Sequence, residues 1–305
     1  MSTLPAGRDA AEGLLESSRA KLFAARAGRV RPGRDDNCLT AWNALAIKGL
    51  ARAARRCDRR DWLEMARRAA AALRRLVWRD GRLAASFQGG RARHNGYLDD
   101  YAFLLDALLE LAQAGWGEGE LAWARELAET LLAHFEDMDA GGFFFTSHDH
   151  ERLIHRSKPA HDQAMPSGNG IAAVALGRLG HLLAEPSYQA AGERALRAFQ
   201  AAIADHPAPF PSLLTALREQ LVAPSLVILR GPDAALQEWK RAADRVAAPG
   251  TLVFALPGDA QDVPASLSRP FAEHVQAHVC GADKCLPPIV QLHDLLTILS
   301  AHADA

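Results

Sequence analysis

The sequence is poor in several features that would mark a specialised class of protein. Its 36 acidic residues balance 35 basic ones, so neither nucleic acid nor a membrane surface is predicted as a partner. No stretch approaches the ~18 to 20 consecutive apolar residues that a membrane-spanning helix needs. Residues 1–30 are rich in charge and lack the apolar segment of a signal peptide. These absences predict a cytoplasmic chain whose partner is a small molecule or a protein.

Cysteine is also scarce, with four residues in a chain of 305. So few cysteines cannot form a disulfide framework at this length, and they suit a reducing compartment. Cys38 and Cys57 fall in helical patterns and are predicted to be core residues. Cys280 and Cys285 lack the two-residue spacing of a redox or zinc-binding hairpin, so we expect these thiols to remain unlinked.

Histidine offers one further candidate for a metal site. His148, His150 and His155 form an H-x-H pattern followed by a third histidine, but no carboxylate or cysteine accompanies them at a strong ligand spacing. The sequence therefore predicts neither a metal ion nor another cofactor.

Helical periodicity is abundant, and 49% of the residues are hydrophobic. Amphipathic segments occur in three pairs, and the first member of each pair is rich in small residues. The pairs span 38–57 with 62–78, 97–114 with 120–135, and 166–184 with 187–204. Counted from Asn43 to Asp100 to Asn169, the pattern recurs after 57 and then 69 residues, which indicates an array or toroid. Pro166 suits the first turn of its helix.

Short segments between the pairs, RLAASF, GFFFTS and RLIHR, predict small strands or hairpins. Beyond residue 222 the pattern changes: SLVILR, TLVFAL and EHVQAHVC predict strands, and 233–246 and 289–301 predict helices. The fold class predicted is mainly α. A partial α/α toroid of helical hairpins would occupy residues 1–222, and a small α/β appendix would occupy 223–305.

A polar cluster precedes each of the three first helices, which we expect to form the inner layer of the toroid. Their starts would then share one rim, and the clusters would line it. The clusters contain Arg34, Asp35, Asp36 and Asn37; His94, Asn95, Asp99 and Asp100; and His161, Asp162, Gln163, Ser167 and Asn169.

Several of these segments resemble a known family. The segments are RPGRDDNCLTAWNALAI, GYLDDYAFLLDALLELA, FEDMDAGGFFFTS, DQAMPSGNGIAA and CGADKCLPP. In this order they resemble the thioredoxin-domain-containing family related to spermatogenesis-associated thioredoxin-like proteins. The resemblance implies a helical part similar to six-hairpin glycosidases and N-acylglucosamine 2-epimerases, and an N-terminal thioredoxin-like domain. The chain matches the C-terminal portion of such a protein, so we expect a fragment or a separately completed polypeptide.

The adjacent carboxylates Asp99 and Asp100 allow two interpretations. Acidic residues at a helix start usually cap the helix or stabilise its dipole. Alternatively, Asp100, which heads an apolar row of its helix, faces inward at the rim and acts as a general acid or base on a sugar. Asp99 heads the row of Phe103, Asp106 and Glu110, which we expect to be partly solvated.

The other candidates depend on the reaction. A glycosidase needs a second carboxyl, for which Asp36 and Asp162 are available. A 2-epimerase needs a base beside a carbonyl, for which His94 or His161 could serve. Substrate contacts are predicted for Arg34, Trp42, Tyr97, Asp99, Arg156, Lys158 and Asn169.

Two functions follow from this pattern. The first is a sugar-binding or sugar-transforming barrel segment. The second is a non-catalytic scaffold for a thioredoxin-like partner domain or for a missing N-terminal portion. Because a toroid that lacks hairpins leaves apolar faces uncovered, we also expect the chain to self-associate.

Overall fold

The computed structural model describes residues 8–117, 119–261, 263–281 and 284–301. The chain divides into two compact units at Asn37 and Cys38. The first unit contains one helix, α1 (Arg8–Ala27). Within the described residues, no helix is long and apolar enough to cross a membrane.

The second unit begins with a layered helical array, and mainly helical structure is the fold class that the sequence predicted. Three helical hairpins follow one another, and an eighth helix completes the series. The helices are α2 (Thr40–Cys57), α3 (Arg60–Val77), α4 (Leu98–Ala114), α5 (Glu120–Phe135), α6 (Gly168–Leu183), α7 (Pro186–Asp205) and α8 (Pro211–Leu221). Along the inner layer α2 packs against α4, α4 against α6, and α6 against α8, while α3, α5 and α7 each pack on the preceding inner helix.

The central helix α4 is enclosed by its neighbours. Every residue from Leu98 to Gln113 except Asp99 is buried. The expectation that Phe103, Asp106 and Glu110 lie on a partly solvated face is therefore wrong. The two acidic side chains tolerate this position because α2 and α6 bring basic groups to α4, and Lys48 forms an ion pair with Asp106.

Small strands lie between the first two hairpins. They are β1 (Cys38–Leu39), β2 (Trp78–Arg79), β3 (Arg82–Gln88) and β4 (Arg91–Asn95). β3 pairs antiparallel with each of the other three. The RLAASF strand is thus present, as the sequence predicted.

The segments GFFFTS and RLIHR do not form the predicted strands; an isolated bridge joins Glu136 to Phe143. Other partners satisfy this backbone. The Asn169 side chain binds both the amide and the carbonyl of Phe143, and the Phe145 carbonyl accepts a hydrogen bond from the amide of Leu98. A buried backbone needs hydrogen bonds but does not need them from a strand ladder.

Two helix starts differ from the sequence-based prediction. Pro166 lies before its helix, because α6 starts at Gly168 and Ser167 is its N-cap, whose Oγ accepts a hydrogen bond from the Gly170 amide at 3.0 Å. The start of α8, in which Pro211 occupies the first position, was not predicted from the sequence. Proline suits that position because a first-turn amide has no intrahelical acceptor.

A three-stranded sheet and two helices form the C-terminal part. Strands β5 (Ser225–Arg230), β6 (Thr251–Leu256) and β7 (Gln276–Cys280) lie in the order β6-β5-β7, with β6 parallel and β7 antiparallel to β5. Alternate residues of β5 face two cores: Ile228 joins the core of the helical array, and Val227 joins a core shared with α9 (Asp233–Val246) and α10 (Leu292–Ala301). The domain boundary after residue 222 remains a prediction.

The prediction of unlinked thiols is contradicted by a disulfide between Cys280 and Cys285, whose Cα atoms are 3.9 Å apart. Cys280 ends β7, and the chain returns beside it so that Cys285 forms an antiparallel bridge with Cys280. Backbone pairing therefore brought the two sulfurs into range, which a rule based on sequence spacing could not reveal.

Two glycines of α6 provide a matched test of inner-helix packing. A Cβ on Gly170 would lie 2.6 Å from the Cβ of Ser212 and 3.0 Å from the Leu213 amide nitrogen, whereas a Cβ on Gly177 would meet nothing within 4 Å. We expect Gly170→Ala to destabilise the protein by ~1 to 3 kcal/mol through overpacking. Gly177→Ala should stabilise it by ~0.5 to 1 kcal/mol, because alanine is the better helix former. Urea unfolding would measure both, and equal effects would contradict close packing of α6 on α8.

Candidate functional site

The N-terminal ends of α2, α4, α6 and α8 lie at the same end of the array, and we call this end the inner rim. Shared contacts establish the arrangement. Asp100 of α4 accepts a hydrogen bond from the Ala41 amide of α2 at 2.8 Å. Asp99 of α4 contacts Gly168 of α6, and Gly170 contacts Ser212 of α8. The three predicted first helices therefore start at one rim, and α8 adds a fourth start.

Asp100 is a structural carboxylate in this arrangement. Its Oδ1 accepts a hydrogen bond from the Ala41 amide, and its Oδ2 accepts one from the Tyr97 amide at 2.8 Å. The side chain is 4% exposed. Burial raises the pKa of Asp100 to about 7, although the two amide hydrogen bonds oppose that rise. Asp100 thus joins the starts of α2 and α4, which matches the capping interpretation.

Asp162 does the same for the starts of α6 and α8. Its Oδ1 accepts the Ser167 amide at 3.0 Å and the Ser212 hydroxyl, and its Oδ2 accepts the Ser212 amide at 2.9 Å. Asp100 and Asp162 are therefore equivalent clamps at two junctions of the inner layer. Each has both of its oxygens engaged by backbone amides at helix starts, where donors otherwise lack partners.

Asp99 differs from both clamps. It is half-buried, and its Oδ1 is buried without any hydrogen-bond partner among the described residues. The same oxygen lies so close to the Cα of Gly168 that a Cβ there would collide with it. Desolvation by burial raises the pKa of Asp99 to about 6. A partly desolvated, unpartnered carboxylate at a rim is poised to bind or transfer a proton.

Aromatic side chains accompany Asp99. The Tyr97 ring stacks on Phe145 with centroids 4.9 Å apart, and the His150 ring lies 5.6 Å from the Tyr97 ring. His150 is half-buried, and its Nδ1 is a buried atom without a partner in the described structure. Trp42, in the first turn of α2, is 61% exposed. The rim thus carries one accessible indole and two rings beside an unpartnered imidazole.

Two of the remaining predicted residues of the second unit, Asn169 and Lys158, bond to other parts of the protein. Asn169 is fully buried, and its amide nitrogen donates to the carbonyls of Phe143 and Pro159. Lys158 forms an ion pair with Asp137 at 2.8 Å. Asn169 and Lys158 thus anchor loops, and their contacts with a substrate remain a prediction.

Arg156 and His161 lie on loops, and His94 lies in β4. The Arg156 guanidinium lies over the Phe144 ring and donates to the Thr146 carbonyl. His94 is exposed at a left-handed backbone position with φ of 58°, and His161 is exposed with its ring against Phe210.

Arg34 and Asp36 belong to the first unit. Both are exposed, and they form an ion pair with each other at 2.6 Å. Their role in catalysis or binding remains a prediction.

The three histidines of the H-x-H pattern do not converge. His148 stacks on His134, His150 lies beside Tyr97, and His155 is exposed. No group of three or more histidine, cysteine or acidic residues in the described part of the chain could hold a metal ion. Sequence reasoning considered His150 only as a metal ligand. Its place beside Tyr97 depends on a loop with no regular periodicity, so no local signal could have identified it.

Relatives of the chain were found by sequence, although no family model matches it. Human spermatogenesis-associated protein 20 is 28% identical over 311 residues, covering 95% of this chain and 39% of the human protein. The rat protein of the same name is 30% identical over 238 residues, covering 74% of this chain and 30% of its own length. The chain is homologous to spermatogenesis-associated protein 20. It spans less than half the length of these relatives.

A solved structure supports the fold. A GH76 α-mannanase of Bacteroides thetaiotaomicron superposes with a TM-score of 0.50 over 90% of this chain and 71% of the mannanase, at 9% sequence identity. At this identity the likeness concerns the fold alone. The chain therefore has the α/α toroid architecture that the sequence analysis predicted.

Proposed function

We propose that the inner rim binds a sugar and that Asp99 transfers a proton to or from it. The observation that carries the proposal is the unpartnered, half-buried carboxylate of Asp99, whose pKa of about 6 lies close to working pH. General acid–base catalysis is most efficient when the pKa of the group is near that pH. This reassigns the catalytic role from Asp100 to its neighbour.

Aromatic surfaces support a sugar as the ligand. Aromatic faces pack against apolar C–H groups, and polar atoms at their edges can engage hydroxyls. The exposed Trp42 indole and the Tyr97 ring supply such surfaces near the starts of α2 and α4. One structure that shares this fold is an α-mannanase, so the fold can accommodate a sugar.

The carboxylate arrangement favours isomerisation or epimerisation over hydrolysis. Glycoside hydrolysis uses two carboxyl groups, ~5 to 9.5 Å apart. Asp100 and Asp162 each engage both oxygens in clamping helix starts, so neither is free to act in that way. Proton transfer beside a carbonyl needs a base and a second donor. Asp99 supplies the base, and His150, with its unpartnered Nδ1, is the candidate donor.

The test uses free aldoses and reducing disaccharides in deuterated water. Proton transfer at the carbon beside the carbonyl introduces deuterium at that carbon, which NMR detects, whereas hydrolysis releases new reducing ends instead. We expect deuterium incorporation that rises with pH through about 6, as Asp99 ionises. Asp99→Asn should reduce it ~100-fold or more, in the range of a lost general base.

The exposed Asp205 provides the control. Asp205→Asn makes the same chemical change on an outer helix and should retain full activity. Release of reducing ends without deuterium incorporation would replace isomerisation by hydrolysis. Equal rates of deuterium incorporation in the Asp99 and Asp205 variants would show that Asp99 does not take part in the reaction.

A second candidate function is a scaffold for a thioredoxin-like partner domain. The chain spans only 39% of the human relative and 71% of the mannanase. These shares support the scaffold because parts of the longer proteins have no counterpart in this chain. If neither this chain nor a full-length relative binds or converts any of the aldoses and disaccharides tested, the result would favour the scaffold.

A further inference from the structure

A concave site lies at the end of the inner helices opposite the inner rim. The C-terminal halves of α2, α4, α6 and α8 converge there, and the segment 247–252, which leads from α9 into the start of β6, closes one side. The cavity measures about 220 Å³, which suits a small metabolite better than a nucleotide. We call it the arginine pocket after its lining residues Arg52, Arg55, Arg56, Arg178 and Arg218.

Two of the five arginines are fully engaged by the protein. Arg56 donates to the carbonyls of Asp244, Arg245 and Ala247 at the end of α9. Arg178 forms a bidentate pair with Glu219 at 2.9 and 2.6 Å. These two residues fix the wall of the pocket and leave the other three to meet a ligand.

The other three arginines have unused donors. Arg52 is exposed and makes no hydrogen bond or ion pair with the described residues. Arg218 is half-exposed and reaches Glu219 only at 3.6 Å. Arg55 donates to Gln113, and its Nε lies 3.8 Å from Asp244 Oδ1 in an ion pair without a hydrogen bond. A planar guanidinium with free donors matches the geometry of phosphate or carboxylate oxygens.

The charge around the pocket is positive even when its surroundings are included. Behind the five arginines lie Lys48 and Lys240, and the nearby carboxylates are Asp106, Glu110, Glu219 and Asp244. Seven basic groups therefore meet four acidic ones, an excess of three positive charges. Arginines in the last turns of α2 and α8 also stabilise helix dipoles, but that role does not account for Arg52, which lies before the last turn of α2 and makes no hydrogen bond or ion pair with the described residues.

Glu110 adds a different requirement. It lines the same pocket, its side chain is 5% exposed, and its Oε2 is a buried atom without a hydrogen-bond donor. A carboxylate accepts hydrogen bonds only, so its natural complement in a ligand is a hydroxyl. The lining thus combines donors for an anion with an acceptor for a hydroxyl.

We propose that the arginine pocket binds a small phosphorylated polyol, such as a sugar phosphate. Its phosphate accepts hydrogen bonds from Arg52, Arg55 and Arg218, and one of its hydroxyls donates to Glu110. The site lies at the far end of the inner helices from Asp99, so binding there does not depend on the activity proposed for the rim.

Isothermal titration calorimetry with glucose 6-phosphate, inorganic phosphate and glucose tests this assignment. We expect saturable binding of one glucose 6-phosphate per chain, weaker binding of phosphate, and no competition by glucose. The double variant Arg52→Gln/Arg218→Gln should lower the affinity for glucose 6-phosphate about tenfold or more. The matched control Arg68→Gln/Arg197→Gln removes two exposed charges on outer helices and should leave affinity unchanged.

Glu110→Gln separates the two halves of the assignment. Loss of its negative charge should not weaken the binding of inorganic phosphate. It should reduce the ratio of the affinity for glucose 6-phosphate to the affinity for phosphate. If glucose 6-phosphate shows no saturable binding, or if the two double variants weaken its binding equally, the pocket is not the binding site. Phosphate binding as tightly as glucose 6-phosphate would overturn the assignment of a hydroxyl partner to Glu110.

Discussion

Replacing Asp100 by alanine is expected to destabilise the protein by ~2 to 4 kcal/mol, whereas the same change at Asp99 should cost ~1 kcal/mol or less. Asp100→Ala removes the acceptor of two backbone amides, Ala41 on α2 and Tyr97 on α4. A buried donor left unsatisfied costs ~1 to 3 kcal/mol. Asp99→Ala leaves no amide unsatisfied and removes only a charge near the start of α4, worth ~0.3 to 1 kcal/mol.

Urea unfolding of the two alanine variants side by side measures this contrast. The comparison is well matched because the residues are neighbours on one helix and lose the same atoms. Asp162→Ala is expected to behave like Asp100→Ala, since it leaves the Ser167 and Ser212 amides without an acceptor. Equal losses for Asp99→Ala and Asp100→Ala would show that Asp100 does not clamp the two helices.

Replacing Arg178 by methionine is expected to destabilise the protein by ~3 to 5 kcal/mol. The guanidinium neutralises Glu219 bidentately and lies 3.7 Å from Asp106, and both carboxylates are buried. Removing one partner of a buried ion pair leaves an uncompensated charge in a poorly solvated site. Asp106 retains Lys48, whereas Glu219 retains only the half-exposed Arg218 at 3.6 Å, so Glu219 loses most.

The double variant Arg178→Met/Glu219→Met should recover most of that loss, because an apolar pair of similar size requires no charge desolvation. Arg197→Met supplies the control, since its ion pair with Glu193 lies on the exposed face of α7 and should be worth ~0.5 kcal/mol or less. Chemical denaturation of the three variants gives the values. A small effect of Arg178→Met alone would mean that water reaches Glu219 and solvates its charge.

Most helices could be predicted from the sequence because each follows a local periodicity. The bounds of α5 and α9 agree with the predicted segments, and α4 differs by one residue at its start. SLVILR and TLVFAL were identifiable as strands because short apolar runs rich in β-branched residues favour buried strands. The GFFFTS segment also looks like a strand in the sequence, but it does not form one. The side chain of Asn169 instead forms hydrogen bonds with the amide and the carbonyl of Phe143.

The site was predictable only in part. Acidic residues at the starts of inner helices pointed correctly to one rim, because parallel inner helices place their starts together. Which carboxylate is free could not be read from the order of residues. Asp99 and Asp100 differ by one position, about 100° around the helix, and their neighbours are supplied by α2 and α6, which are distant in sequence.

The sequence by itself therefore determined most of the helices, the order of the hairpins and the polar clusters at the helix starts, since these depend on local periodicity and spacing. The tertiary structure decided what each polar side chain does. It gave Asp100 and Asp162 two helix starts each to clamp, left Asp99 without a donor, and drew the C-terminal arginines of separate helices into one pocket. The physical reason is that desolvation and hydrogen-bond satisfaction depend on which distant residues fill the few ångströms around a group.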